Sequence, residues 1–185
     1  MKDLSQRVAF LLALLSGQRC QTIGKLSIDN MTMEETKITF LIADKLKHSG
    51  PGVHQQPLVF MAYVADQKLC ILTYLQEYLK RTSPVRGDNK QPLISFAETL
   101  YKPISTETIS HWIKNFMTTA GVDTTQYKSP STRAASTSHL ASQQFDLKDI
   151  LNAAGWSKEE TFKRFYHFKD NNEFNFGSAI MNTLS

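Results

Sequence analysis

Residues 129–168 read SPSTRAASTSHLASQQFDLKDILNAAGWSKEETFKRFYHF. The stretch is built for helices. Pro130 sits where a missing N–H is not needed, at a first helical turn. Three helices are predicted, over 131–142, 147–154 and 158–168. Arg133, Trp156 and Tyr166 stand within them, a cation, an indole and a phenol in one compact segment. Near the other end of the chain, residues 16–27 read SGQRCQTIGKLS and place Arg19 directly after a long apolar helix.

Those residue types could hold a phosphodiester and attack it. Cutting a phosphodiester needs a nucleophile, stabilisation of charge on the phosphoryl oxygens, and a proton for the leaving oxygen. An arginine fork donates two parallel hydrogen bonds to a phosphate and stays charged. A phenol can attack if positive charge activates it, since its pKa in water is about 10. Each residue also has a plainer reading. Two arginines can be unrelated surface groups, Trp156 a boundary core residue, and Phe162, Phe165 and Tyr166 one aromatic core face.

The rest of the chain supports a mainly α fold with a small antiparallel β-sheet. An apolar helix is predicted over 3–15, ended by Ser16-Gly17, with a short helix over 22–26. Alternation over 37–43 puts Ile38, Phe40 and Ile42 on one face of a strand. The LKHSGPG turn at 46–52 then allows 57–60 to return as its partner. Leu69, Leu72, Leu75, Tyr78 and Leu79 recur at helical spacing over 69–81. A polar turn region, with SPVRGDNKQ, fills 82–91, and a short strand is expected over 92–96. Ser105 caps a further helix that runs to Gly121. The sheet thus falls after the first two helices.

Composition bounds the function. The 185 residues suffice for one domain with a real core. Net charge is +4, in keeping with a polyanionic partner without establishing one. The apolar run 8–15 is too short to span a bilayer, so no membrane is expected. Cys20 and Cys70 form no disulfide framework, and with the five histidines they give no metal-ligand spacing. Neither a P-loop nor a dinucleotide glycine motif is present, so no nucleotide cofactor, and no cofactor of any kind, is expected.

The constellation of Arg19 in GQRCQTI, Arg133 in STRAAST, Trp156 in AAGWS and Tyr166 after TF-x-x-F resembles the catalytic domain of the tyrosine recombinases, the phage integrase family. The wording is most similar to the eukaryotic mobile-element branch, the Crypton-, Ngaro- and DIRS-like recombinases. The resemblance covers most of the chain, from Leu4 to Phe168. It implies strand cleavage and rejoining on double-stranded DNA through a 3′-phosphotyrosyl link to Tyr166, with Arg19 and Arg133 on the phosphate. It implies that Trp156 donates to a phosphate oxygen or packs beneath the nucleophile. A hairpin lysine would protonate the leaving 5′-oxygen; Lys45 and Lys47 both qualify by position, and LKHSGPG favours Lys47. Residues 1–168 would be the catalytic domain. Residues 169–185 would be a tail, exchanged between protomers of a DNA-bound tetramer or packed on its own domain. The expected setting is intracellular, and nuclear in a eukaryote.

Two departures stand out. Relatives carry His three residues before the second arginine, and here that position is Pro130, which cannot carry a proton. Lys128 is the nearby cation. Relatives also carry a separate N-terminal helical domain that completes a clamp around DNA, so a fragment or a reduced protein is expected. A domesticated DNA-binding relative with weak catalysis is the alternative, and a helical protein-interaction domain a third reading.

Overall fold

The computed structural model describes residues 1–42, 56–96, 101–143, 145–156, 159–160 and 162. Lys45, Lys47, Tyr166 and the 169–185 segment lie outside the described residues, as does most of the helix expected over 158–168.

Helix α1, Lys2–Ser16, is the spine of the molecule. Its Val8, Ala9, Leu11, Leu12 and Ala13 are buried, and full burial of a leucine side chain contributes about 2 kcal/mol. The helix ends at Gly17, whose φ of 61° is left-handed and whose N–H bonds to the Ala13 carbonyl at 3.1 Å. The left-handed backbone favours glycine there, and a Cβ would crowd the Ala154 Cβ at 3.1 Å. A second short helix, α2, spans Cys20–Ile23, earlier than the 22–26 expected.

A three-stranded antiparallel sheet follows: β1 (Met31–Met33), β2 (Lys37–Phe40) and β3 (Leu58–Met61), in that order. In β2 and β3 alternate residues are buried, Ile38 opposite Phe60 and Phe40 opposite Leu58. Helix α3, Ile71–Thr82, buries Ile71, Leu72, Leu75 and Tyr78 against α1. Leu69, read as part of that face, lies before the helix and is half exposed. The strand expected over 92–96 is a single bridge, Ile94 to Pro103. Burial raises the pKa of the Tyr78 phenol, which donates to the Ile94 carbonyl at 3.3 Å and accepts from the Ile94 N–H at 3.2 Å.

Helix α4, Thr106–Thr119, starts where Ser105 Oγ accepts the Thr108 N–H at 3.2 Å. It packs lengthwise on α1, with Phe10 and Phe116 ring centroids 4.8 Å apart. Helix α5, Ser131–Ser142, packs across α1 through small side chains, its Thr137 methyl 3.6 Å from where a Gly17 Cβ would be. Helix α6, Leu147–Ala153, is capped by Asp146, whose Oδ1 accepts the N–H groups of Lys148 and Asp149. The domain is therefore mainly helical with a small antiparallel sheet, as the sequence implies.

Candidate active site

Three chain segments far apart in sequence meet at the C-terminal end of α1. The first is the turn Gln18-Arg19-Cys20, thrown outward by Gly17. The second is the start of α5, where Pro130 takes the cap position with φ −63° and ψ −17° and leads into Arg133 one turn later. The third is the end of α6. There Gly155, φ 68°, reverses the chain: its N–H bonds to Asn152 at 3.1 Å, and the next N–H, of Trp156, bonds to Leu151 at 2.8 Å. This paired closure is the Schellman motif. It explains the AAGW wording, because glycine tolerates the left-handed backbone that aims the indole back at α5.

Between these segments lies a cleft of about 360 Å³, lined by Arg19, Cys20, Pro130, Arg133 and Trp156 among others. The Arg133 guanidinium carbon sits 4.0 Å from the Trp156 ring centroid and that of Arg19 sits 5.9 Å from the same centroid. The two forks are therefore no farther apart than the sum of those distances, although 114 positions separate them in sequence. They differ in setting. Arg19 is exposed, whereas Arg133 is only 5% exposed. A cation over an indole face gains from about 0.5 kcal/mol when solvated to about 2 kcal/mol when desolvated. A desolvated cation also acts on an anion through a lower dielectric than bulk water. Trp156 in turn meets the fully buried Phe162 edge to face, centroids 5.6 Å apart.

The Arg19 turn is pinned on both sides. Gln18 is buried and donates from Nε2 to the Ala153 carbonyl at 2.8 Å, tying the turn to the end of α6. Cys20 Sγ lies 3.3 Å from the hydroxyl of buried Ser129, tying it to the approach to α5. Burial pushes the Cys20 thiol's pKa up, with the Ser129 contact opposing. Gln18, Cys20 and Ser129 are site residues that sequence reasoning missed. The first two could be suspected as neighbours of Arg19; nothing local signals their distant partners.

Arg19, Arg133 and Trp156 are thus brought together, with Pro130 on the same wall. Lys128 lines a neighbouring cavity and is absent from the arginine cleft's lining. Among the described residues no group of His, Cys, Asp and Glu could hold a metal ion, and no helix is long and apolar enough to cross a membrane. What the cleft can do is hold one small, doubly contacted anion against an aromatic floor.

Solved structures share this fold. The XerH site-specific recombinase bound to palindromic difH substrate, a post-cleavage complex, is 18% identical and superposes with a TM-score of 0.67 over 96% of this chain and 46% of its own. The XerA recombinase is 16% identical, TM-score 0.63, over 91% of this chain and 56% of its own. A lambda integrase dimer bound to a COC′ core site is 14% identical, TM-score 0.54, over 90% of this chain and 53% of its own. This chain therefore spans about half the length of those proteins. No curated protein is significantly similar to it in sequence. Residues 1–172 match the model of the Phage integrase family, and with nearly the whole chain inside that match, the chain belongs to the family.

Proposed function

We propose that this member of the phage integrase family is a tyrosine recombinase catalytic domain that cuts and rejoins strands of double-stranded DNA at specific sites. The observation that carries this is the pair of arginine forks on one indole, because two planar cations beside one aromatic floor fit a single phosphate. Arg19 and Arg133 hold the scissile phosphate and stabilise the charge on its oxygens during transfer. Trp156 supports both cations and can offer its indole N–H to a phosphate oxygen. Tyr166 is the nucleophile: its oxygen bonds to phosphorus as the bond to the 5′-oxygen breaks, leaving a 3′-phosphotyrosyl link. Lys47 delivers the proton that the 5′-oxygen takes up, with Lys45 the alternative. One phosphoester replaces another, so the step needs no ATP, metal or cofactor.

Residues 1–168 form the catalytic body in this reading, and residues 169–185 a tail that passes to a neighbouring protomer. XerH and lambda integrase appear in complexes with DNA, lambda integrase also as a tetramer on a Holliday junction. By the same logic this chain works as a DNA-bound tetramer, inside the cell and, in a eukaryotic host, in the nucleus.

Pro130 favours a second reading. It lies on the cleft wall where relatives carry a proton-carrying His, so a domesticated relative that keeps DNA binding and has lost efficient cutting fits the same site. The test is trapping on a nicked suicide duplex. Wild type should form a covalent DNA adduct, and Tyr166→Phe should form none while binding DNA as well as before. A wild type that binds but never yields the adduct, even with Pro130→His, establishes the domesticated reading.

A further inference from the structure

The arginine cleft does not stand alone. A second cavity, of about 500 Å³, opens beside it, and Thr106 and Ser110 of α4 line both. Cys20 lines the first and Ser129 the second, so their 3.3 Å contact joins the two walls again on the side of α5. The two cavities are consecutive stretches of one surface groove.

The second stretch carries its own cations. Lys114 stands on α4, and Lys128 comes from the loop that leads into Arg133. Both lysines are exposed, and neither enters an ion pair among the described residues. Glu107 also lines this stretch, with its carboxylate bonded at the start of α4. Its own backbone N–H and the Ser105 hydroxyl hold it below the usual carboxylate range. That carboxylate stays ionised, and the two lysines outnumber it, so the stretch keeps a net positive charge.

We propose that this stretch is a second phosphate-binding site, in which Lys114 and Lys128 take the phosphodiester next to the one held by Arg19 and Arg133 on the same DNA strand. The proposal rests on the recombinase reading and extends it by one nucleotide. The residue types divide the work sensibly. A planar fork fixes the geometry of the phosphate that reacts. An ammonium on a flexible stem neutralises one that needs only to be held. The hydroxyls of Thr106 and Ser110 lie between the two positions and can donate to either. This also assigns Lys128: it serves the flanking phosphate and does not replace the proton carrier missing at Pro130.

The test is the salt dependence of duplex DNA binding by the full 185-residue chain. The double variant Lys114→Gln/Lys128→Gln should bind about tenfold more weakly at 0.1 M salt. Its slope of log affinity against log salt should be shallower by about 1, the loss of one neutralised phosphate. Lys114→Arg/Lys128→Arg should restore both values. A charge-matched control, Lys2→Gln/Lys80→Gln, removes two exposed lysines that line neither cavity and should leave the slope unchanged. An unchanged slope in the Lys114/Lys128 variant, or an equal change in the control, overturns the second site while leaving the recombinase reading intact. A wild type that binds no DNA at any salt overturns both.

Discussion

Arg86 and Arg133 are both nearly buried, at 8% and 5% exposure, yet they are held in opposite ways. Arg86 sits in the turn after α3 and is clasped by its own neighbourhood. It donates to the Thr82 hydroxyl and to the carbonyls of Asn89, Gln91 and Pro92. Its partners all lie within six residues of it, so it closes a local loop. Burial lowers its pKa, with desolvation the main cause. Arg133 instead lies 4.0 Å from an indole centroid, lines an open cleft, and shares that indole with an arginine from the far end of the chain. A buried arginine is therefore not in itself a sign of function. What separates the two is that Arg86 is tied to its own turn, whereas Arg133 lines a cleft beside a second arginine.

The largest effect that could break this contrast is on catalysis. Arg133→Ala should lower the rate of covalent adduct formation by at least 10²-fold, as expected when a donor to the reacting oxygens is removed. Urea unfolding of the same variant should change far less than its activity. If the variant instead unfolds while the folded fraction still cuts DNA, Arg133 is a structural arginine like Arg86, and the cleft loses its main ligand.

The complementary change is Arg86→Met. It keeps much of the aliphatic bulk and strips the donors from four acceptors. Hydrogen bonds from charged donors are worth about 1.5–3 kcal/mol each, and some orphaned carbonyls will rehydrate, so a loss of about 3 kcal/mol in urea unfolding is expected. Adduct formation per folded molecule should stay within a few-fold of wild type. A large catalytic loss with unaltered stability would place Arg86 in the DNA-handling machinery and erase the distinction.

The same pair shows what the sequence could reveal. Arg133 is legible as a candidate because STRAAST, AAGWS and the late tyrosine together resemble the recombinase constellation. Arg86 reads as part of a polar turn, since nothing in SPVRGDNKQ announces that four acceptors will fold around it. Helices with a strong apolar period are legible directly, as α3 and α4 are, and the α5 span of 131–142 matches the expectation. Strand β1 was missed: it has three residues and only half-buried methionines, so alternation has nothing to act on. The 92–96 run looked like a strand but pairs at a single bridge, because pairing depends on where the 101–104 segment returns. Within the cleft, residue types were readable, while the meeting of Arg19 with Trp156 depends on the packing of α1 between α4 and α5. The bonds of Gln18 and Cys20 span 135 and 109 positions, beyond any local pattern.

The smallest expected effect concerns Cys20, which sharpens the contrast because it holds the cleft in place without touching the proposed phosphate. Cys20→Ser keeps a hydroxyl for Ser129 and should cut DNA at close to the wild-type rate. Cys20→Ala leaves the Ser129 hydroxyl without that contact and loosens Arg19 against Arg133. A loss of about 1 kcal/mol, or roughly fivefold in adduct formation, is expected. The thiol gives an independent readout. Burial raises its pKa, so folding retains the proton. That contribution to stability is intact below the ordinary thiol value of about 8.5 and declines as pH rises towards the folded value. Alkylation of Cys20, followed by mass spectrometry, should therefore be slow at neutral pH and accelerate at a pH above that of an ordinary thiol. Bound DNA should slow it further, and the Cys20→Ser variant should lack the alkaline decline in stability. Fast alkylation at neutral pH that DNA leaves unchanged would mean that Cys20 neither seals the cleft wall nor borders the bound strand, and the pinning of Arg19 would then rest on Gln18 alone.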